Sequence, residues 1–330
     1  MDTIRLAKPE DAELIASMVA RCYGTSYTTP EALDRDHLVR EMASGQVVWA
    51  LAFGRDGRHL GQAALLRHTE AGLWECGRAI VEADQRGKGV CNALSDLLVH
   101  RVASEVGASF ILGHLVTSHR FIQQYSQSRG FVPTGMLLGM APASLCPRGI
   151  ARPSQPVSIV IALLRCPVEV RERELFLAEP ELSRALDLLA RLGVPARAAA
   201  PARDPVLPGC VVQPLPSFGI ARLRFGASSG ERRELRELLA DAQVCNPRVC
   251  WADVPVEHPG AAALIASLRR EGFSWGAYIP LGGVDGEDVL RLQRLGPRMN
   301  LRADAIHVLD ELKPLRDSVL SEVPAEVVHA

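Results

Sequence analysis

The sequence is organised around a short glycine-rich turn that lies between an apolar segment and a helix. The apolar segment ends at Val81, two acidic residues follow, and the turn 86–89 opens an apolar stripe typical of a helix. Glycine lets backbone N–H groups approach one another in such a turn, and the helix N-terminus adds a partial positive charge. This combination suits an anionic phosphate, and it requires a fold in which a strand leads directly into a helix.

The segments on either side of the turn predict an α/β (α+β) unit with a mixed, mostly antiparallel sheet flanked by helices. Glycine and proline residues separate apolar segments whose lengths distinguish strands from helices. The expected order is strand 4–6, helix from Pro9, helix from Pro30, strands 47–53, 60–67 and 73–81, helix to Gly107, strand 110–116, helix 118–129 capped by Ser118, strand 131–140 and strand 157–166.

This order, together with two motifs, resembles the GNAT acyltransferase superfamily over residues 3 to about 166. Residues 86–91 match its Arg/Gln-x-x-Gly-x-Gly/Ala pyrophosphate turn, and Arg129-Gly130-Phe131 matches the Gly-Phe that closes its last helix. Members bind acetyl-CoA or a related acyl-CoA. The resemblance therefore implies a GNAT catalytic domain at 1–166, with acyl-CoA as co-substrate.

Residues 167–330 repeat part of this order and predict a second, abbreviated GNAT-like unit. A second Gly-Phe pair, Gly272-Phe273, follows a helix, and the hairpin 277–292 comes after it. At the position of the phosphate turn the sequence is Ser228-Ser229-Gly230-Glu231, which places an acid where an anion would bind. We expect this unit to be degenerate, with a role in shaping the acceptor site or an interface.

The resemblance implies where CoA would bind in the first unit. The backbone from Gln85 to Val90 would contact the pyrophosphate, and the backbone around Ile80 and Val81 would bind the pantetheine arm like an added strand. Cys91 replaces the last family glycine, and its larger side chain is expected to narrow the phosphate-binding turn. The alternative is that residues 86–91 form a tight structural turn that requires small residues. The expected cofactor residues are Ile80, Val81, Gln85, Arg86, Gly87, Lys88, Gly89, Val90, Cys91, Ser118 and His119.

Transfer of an acyl group to an amine requires a neutral amine, and hence a base. Glu75, on the strand before the turn, is the first candidate. Strand alternation predicts that Glu75, Gly77, Ala79 and Val81 share one face, so that small residues follow the carboxylate along a groove. The alternative is an exposed glutamate at the start of a strand.

Two further candidates lie near the predicted helix 118–129. The family acid, a tyrosine four residues before the Gly of Gly-Phe, is Ser126 here, and Tyr125 lies about 100° around the helix. Tyr125 either replaces that acid or packs in the core. His119 either contacts the pantetheine and exchanges protons, or caps the helix. His114 is expected to be a core histidine, and His68 an exposed one.

The first helix–loop–helix region usually forms one wall of the acceptor site in this family. Here it contains Tyr23, Tyr27 and Glu31. These side chains either define the acceptor or pack to order their own loop. The sequence does not specify the acceptor, the acyl chain length or the oligomeric state.

Composition narrows the remaining possibilities. The net charge of −1 and the pI near 6.8 give no reason to expect nucleic acid or an anionic membrane as a partner. The N-terminus lacks a signal-peptide pattern, and eight scattered cysteines indicate a reducing, cytoplasmic location. Cys245, Cys250 and His258 match no metal-binding spacing, so no metal is expected.

The sequence thus predicts an N-acetyltransferase or related acyltransferase that acts on a small-molecule or peptide amine. Attack on the thioester would be direct, within a ternary complex. Neither Cys76 nor Cys91 has a histidine nearby in sequence, so a cysteine nucleophile is not expected. The alternative is a non-catalytic protein that senses acyl-CoA or serves as a scaffold.

Overall fold

A computed structural model describes residues 3–200, 202, 206–226 and 233–329. It divides into two compact units, of which the first comprises Met1–His114 and Ala143–Pro153 and the second Leu115–Pro142 and Ser154–Ala330. Both are mixed α/β units with mostly antiparallel sheets and flanking helices. This division differs from the expected boundary after residue 166, which stays a prediction about domains. No helix of the described residues is long and apolar enough to cross a membrane.

The first unit contains a sheet with the strand order β1-β2-β3-β4-β5. Neighbouring strands are antiparallel, except that β4 and β5 are parallel. The inner strands are buried along most of their length, because helices pack against the sheet, and they therefore read as nearly continuous apolar runs. The strands are β1 (Thr3–Leu6), β2 (Val47–Phe53), β3 (His59–Arg67), β4 (Leu73–Val81) and β5 (Phe110–Val116), whose last two residues belong to the second unit.

The helices of the first unit are α1 (Ala12–Tyr23), α2 (Arg35–Ala43) and α3 (Val90–Asp96). A π-helical turn, Leu97–Val102, continues α3 into the short α4 (Ala103–Glu105). The single helix expected from Pro30 is divided, because Asp34 accepts hydrogen bonds from two backbone N–H groups and caps α2. A separate 3-10 turn, Pro30–Leu33, precedes this cap.

A β-bulge in β4 changes the predicted alternation of side chains. Between the pairs Gln62↔Ile80 and Ala64↔Gly77, β4 has one more residue than β3, and Arg78 adopts a φ of +51°. Ile80 therefore shares the face of Glu75 and packs with Met18 and Val19 of α1. The expectation that Val81 lies on that face was wrong, because a bulge reverses the alternation beyond it.

The second unit contains one large sheet and two short two-stranded ones. The end of β5 is followed in the large sheet by β7-β6-β13-β14-β12-β11-β10. From β7 to β10, as far as the described residues show, β11 and β12 are parallel and the other neighbours are antiparallel. The short sheets pair β8 with β9 and β15 with β16. The strands are β6 (Val132–Ala141), β7 (Val157–Arg165), β8 (Arg173–Leu175), β9 (Ala196–Ala198), β10 (Gly209–Leu215), β11 (Ile220–Gly226), β12 (Val249–Pro255), β13 (Ser274–Ile279), β14 (Val289–Leu295), β15 (Leu301–Arg302) and β16 (Val328–His329).

The helices of the second unit are α5 (Phe121–Ser128), α6 (Glu181–Arg191), α7 (Leu235–Val244), α8 (Ala261–Arg270) and α9 (Lys313–Ser321). Helix α5 begins three residues after Ser118, so the expectation that Ser118 caps it was wrong. The reason is that Thr117 stays extended: its backbone N–H and its hydroxyl both donate to the carbonyl of Ser158. The residues 228–231, expected to form a degenerate phosphate turn, lie outside the described residues.

Glycine allows the close approach of β6 and β13 in the second unit. A Cβ atom on Gly135 would lie 2.0 Å from the carbonyl oxygen of Gly276 and 2.3 Å from Cα of Ala277. Any larger residue would therefore push the two strands apart. Gln293 of β14, fully buried, strengthens the junction by donating to the carbonyls of Met136 and Trp275.

Candidate active site

The glycine-rich turn has the backbone geometry expected of an anion site. Gly87 and Gly89 have φ values of +76° and +79°, and a Cβ atom on either would meet nothing within 4 Å. Backbone conformation, not crowding, therefore requires glycine here. The first α3 hydrogen bond runs from Ala93 N–H to the Gly89 carbonyl at 3.0 Å. The N–H groups of residues 90–92 precede it and remain available at the N-terminus of the helix.

The acidic residues beside the turn are paired with arginines. Glu82 accepts from Arg21 at 3.0 Å, and Asp84 accepts from Arg58 at 2.8 Å. The hydrogen bond from Arg58 lowers the pKa of Asp84 to about 2. Because each carboxylate faces a cation, the pair repels an incoming phosphate less than two isolated acids would.

The two basic residues of the turn differ in position. The Arg86 guanidinium donates to the Val81 carbonyl at 3.3 Å and lies 3.8 Å from the Cys22 sulfur, so it is half-buried against the body of the unit. Lys88 is exposed. Its ammonium is therefore the basic group of this turn that lies on the outer surface.

Strands β4 and β5 separate immediately before the turn. Their parallel ladder runs from Leu73↔Phe110 to Cys76↔Gly113 and stops, although β4 continues to Val81. Beyond Cys76 the ladder that holds β4 is the one with β3. An edge of this kind leaves main-chain groups available to an extended ligand.

A carboxylate held between two histidines lies on β4, next to this separation. Glu75 Oε1 is 3.0 Å from His114 Nδ1, and Glu75 Oε2 is 2.7 Å from His68 Nε2. The side chains of Glu75 and His114 are 19% and 21% exposed, so solvent still reaches them. The three residues form a hydrogen-bonded chain on one face of the sheet.

Strand register brings this cluster together. Glu75 lies opposite Leu112 in the parallel ladder, so His114, two residues further on, projects from the same face. Gly77 makes room for the carboxylate, since a Cβ atom there would lie 2.7 Å from Glu75 Oε1. The expectation of an ordinary core histidine at 114 missed this contact. The contact depends on the register between β4 and β5, which the sequence alone does not give.

The electrostatics of the cluster change the role that Glu75 can have. Burial alone would raise the pKa of Glu75, but the charge and hydrogen bond of His114, and those of His68, hold it well below its usual range. An ionised carboxylate with such a low pKa is a weak base. Glu75 is therefore better suited to orient His114 than to accept a proton itself.

The bulge residue Arg78 connects β4 to α2. Its guanidinium donates to Glu41 at 2.9 Å and lies 5.7 Å from the centre of the Trp49 ring. Nearby, the rings of Tyr23 and Tyr27 are 4.9 Å apart and pack with Ile80. Burial raises the pKa of Tyr27, so its hydroxyl stays protonated. Both tyrosines thus pack against each other and against the core cluster that contains Ile80.

The other expected catalytic residues belong to the second unit. His119 lies before α5, its Nδ1 is buried without a hydrogen-bond partner among the described residues, and burial lowers its pKa. Exposed Ser118 precedes it. Tyr125 is 7% exposed within α5, and the Arg129 guanidinium lies 5.2 Å from its ring centre.

Cys76 and Cys91, the cysteines before and after the turn, are poor nucleophiles in this structure. Burial raises the pKa of Cys76 to about 12 and also raises the pKa of Cys91, so both thiols stay protonated near neutral pH. Among the residues that the structure describes, no group of three or more His, Cys, Asp or Glu side chains is placed to hold a metal ion.

Comparison with solved structures finds acetyltransferases. The spermidine/spermine N-acetyltransferase SpeG from Vibrio cholerae, solved in two mutant forms, is 13% identical with a TM-score of 0.38, and the match covers 49% of this chain and 93% of that one. An aminoglycoside 6'-N-acetyltransferase complexed with coenzyme A is 12% identical with a TM-score of 0.38, and the match covers 51% of this chain and 99% of that one. An N-acetyltransferase from Staphylococcus aureus Mu50 is 21% identical with a TM-score of 0.39, and the match covers 49% of this chain and 97% of that one.

Neither the protein-family models nor the curated proteins include a match to this sequence. The similar structures are matched almost in full, whereas about half of this chain takes part. At these identities and TM-scores the likeness carries no functional argument. The case for function therefore depends on the geometry of the residues themselves.

Proposed function

We propose that this protein is a GNAT-type N-acyltransferase that uses acetyl-CoA or another acyl-CoA. The observation that carries the proposal is a single juxtaposition in the first unit. A glycine turn at a helix N-terminus follows a strand that has left its parallel neighbour, and the Glu75–His114 pair lies where the two strands separate. Phosphate binding, main-chain recognition of an extended arm and proton transfer would thus be served by β4, the turn that follows it and the neighbouring strand β5.

CoA would bind with its pyrophosphate at the turn. The N-terminus of α3 supplies N–H donors and partial positive charge, and exposed Lys88 adds a full charge. Of the predicted contacts from Gln85 to Val90, the N–H groups of Gln85 and Lys88 already donate to the carbonyls of Glu82 and Gln85. The pantetheine arm would lie along Ile80 and Val81. Ser118 and His119 belong to the second unit, and their contact with CoA stays a prediction from the resemblance. Cys91 is a half-buried thiol beside the cradle.

His114 is proposed as the base that accepts a proton from the acceptor amine. With Nδ1–H donated to the ionised Glu75, Nε2 is the unprotonated nitrogen of the ring. The amine nitrogen then attacks the thioester carbonyl, its proton passes to Nε2, the C–S bond breaks, and the thiolate takes a proton from water. No covalent enzyme intermediate is required.

The segment 167–330 is proposed to be a degenerate copy of the fold of residues 1–166. Its order β10-β11-β12 repeats the order β3-β4-β5, with an antiparallel pair followed by a parallel pair in each and a helix between the parallel strands. This correspondence supports duplication. We propose that the copy shapes the acceptor site or an interface and does not bind CoA.

The test is release of free thiol from acetyl-CoA by the full-length chain in the presence of a panel of amines. Spermidine, an aminoglycoside, free amino acids and a lysine peptide represent the small-molecule and peptide classes. We expect turnover with at least one class. Turnover with none, despite CoA binding by calorimetry, would contradict catalysis and favour the acyl-CoA sensor.

A matched pair of variants tests the placement of CoA. Gly89→Glu puts a carboxylate and a strained backbone at the turn, and it should abolish CoA binding. Gly45→Glu imposes the same backbone strain at an exposed glycine with a φ of +69°, away from the turn. It should bind CoA like the wild type. Equal CoA affinity of the two variants would refute the assignment of the turn.

A further inference from the structure

We infer that the second unit has a binding site for a small dianion, of the phosphate or dicarboxylate class, on the face of its sheet formed by Gln213, Arg222, Arg224, Trp251, Asp253 and Arg291. We call this surface the arginine face. Ladder register places these side chains together: Gln213 lies opposite Arg222, which lies opposite Trp251, and Arg224 lies opposite Asp253, which lies opposite Arg291. The site is separate from the glycine turn of the first unit.

The arginine face has an excess of positive charge. Asp253, 1% exposed, binds two of the three arginines: Oδ1 accepts from Arg291 at 2.7 Å, and Oδ2 accepts from Arg222 at 2.6 Å. One carboxylate thus neutralises one of three guanidinium groups, which leaves a formal charge of +2. Burial raises the pKa of Glu287, and this residue lies close enough to Arg224 for the arginine charge to oppose that rise. Adding Glu287 to the count leaves a formal charge of +1 for these five side chains.

Hydrogen bonding on this face is also incomplete. The Nε of Arg224, the Nε1 of Trp251 and the Oε1 of Gln213 are buried and have no hydrogen-bond partner among the described residues. Trp251 is only 3% exposed, and the guanidinium of Arg291 lies 4.6 Å from its ring centre. Leaving a buried donor unsatisfied destabilises the folded protein. Two orphaned N–H donors next to excess positive charge define the chemistry that an oxyanion would satisfy.

Charge and donors together select the ligand class. An arginine fork presents parallel N–H groups that match the geometry of phosphate and carboxylate oxygens. The excess charge of +1 to +2 fits a dianion better than a neutral molecule or a cation. An amine acceptor would be repelled, so this face is not a second acceptor site for the proposed transferase.

The test is calorimetric titration of the full-length protein with inorganic phosphate and, separately, with malonate. We expect saturable binding of at least one, weakened tenfold or more by Arg224→Gln and weakened also by Trp251→Phe, which keeps an aromatic ring but removes the indole N–H. Arg236→Gln changes an exposed arginine of α7 and should leave the affinity unchanged. An equal loss of anion affinity in all three variants, or no saturable binding of either anion to the wild type, would overturn the proposal.

Thermal unfolding separates a ligand site from a structural arginine. If Arg224 serves a ligand, Arg224→Gln removes repulsion and should keep or raise Tm without anion, while the rise in Tm on adding phosphate or malonate disappears. A lower Tm together with an unchanged anion effect would contradict the assignment. Because the CoA turn is intact in this variant, CoA binding reports on the proposed transferase independently.

Discussion

Two clusters at corresponding positions of the two sheets have opposite chemistry. Counted from the first pair of each parallel ladder, Glu75 corresponds to Arg222, and His114 corresponds to Asp253. Each pair is joined across the ladder by a hydrogen-bonded contact between an acid and a base. The acid lies on the first strand of one ladder and on the second strand of the other.

The difference lies in which partner can exchange a proton. A histidine gains or loses a proton near neutral pH, whereas an arginine stays charged throughout that range. Even Arg222, whose pKa is lowered to about 10 by burial, remains cationic at neutral pH. The first cluster is therefore suited to acid/base chemistry and the second to fixed charge. Two residues in each ladder decide this.

The largest expected effect is on stability in the second cluster. Asp253→Asn would leave two arginines without their carboxylate, and we expect the free energy of unfolding to fall by about 3–5 kcal/mol. Urea denaturation measures it. Asp241→Asn, which breaks an exposed ion pair with Arg233, is the control and should change little. Equal losses would show that Asp253 is not the centre of the second cluster.

The next effect is on rate in the first cluster. His114→Gln should reduce kcat roughly 10²–10⁴-fold, as expected for loss of a general base, with little change in KM for acetyl-CoA. His68→Gln removes the other neighbour of Glu75 and should cost much less. Steady-state thiol release measures both variants. A wild-type rate for His114→Gln would exclude this residue as the base.

A pH dependence of stability distinguishes Glu75 from surface acids. Its pKa is depressed, so the stability that it contributes is present above the ordinary glutamate value of about 4.3 and is lost as pH falls through the lower, folded-state value. Glu75→Gln should therefore cost about 1.5–3 kcal/mol at pH 7, and the difference from the wild type should shrink below about pH 4. Glu70→Gln, at an exposed position, serves as control. A difference that does not vary with pH would contradict the ion pairing.

The smallest effect tests how Gly77 positions the carboxylate. Gly77→Ala would displace Glu75 Oε1, and we expect kcat to fall about tenfold, or roughly 1.4 kcal/mol in the barrier. In a Glu75→Gln background the same change should add little, because its target is already altered. Independent, additive losses in the double variant would show that Gly77 acts in another way.

The sequence predicted the elements around the turn well, since glycines, prolines and apolar runs mark strand and helix ends locally. It did not predict the bulge at Arg78, which holds a non-glycine residue at a φ of +51°. Only tertiary contacts, here those with Glu41 and Trp49, stabilise such a conformation. The separate cap at Asp34 was missed because a 3-10 turn directly precedes it.

Both clusters depend on ladder register, which a single sequence does not contain. Glu75 was identified as a candidate, but its partners His68 and His114 become visible only when β3, β4 and β5 are aligned. The arginine face was missed for the same reason, since its members come from four strands. Helix α9 was not predicted either. The pairing of β15 with β16 was missed because each strand is only two residues long.

The most direct test of the whole comparison is the stoichiometry of CoA binding, measured by calorimetry on the full-length chain. One unit has a glycine turn between the two strands that carry its acid/base pair, and the other has fixed charge at the corresponding positions. We predict one CoA per chain, lost in Gly89→Glu and retained in Arg224→Gln. Two CoA molecules per chain, or binding that survives Gly89→Glu, would contradict the assignment of the cofactor site to the first unit alone.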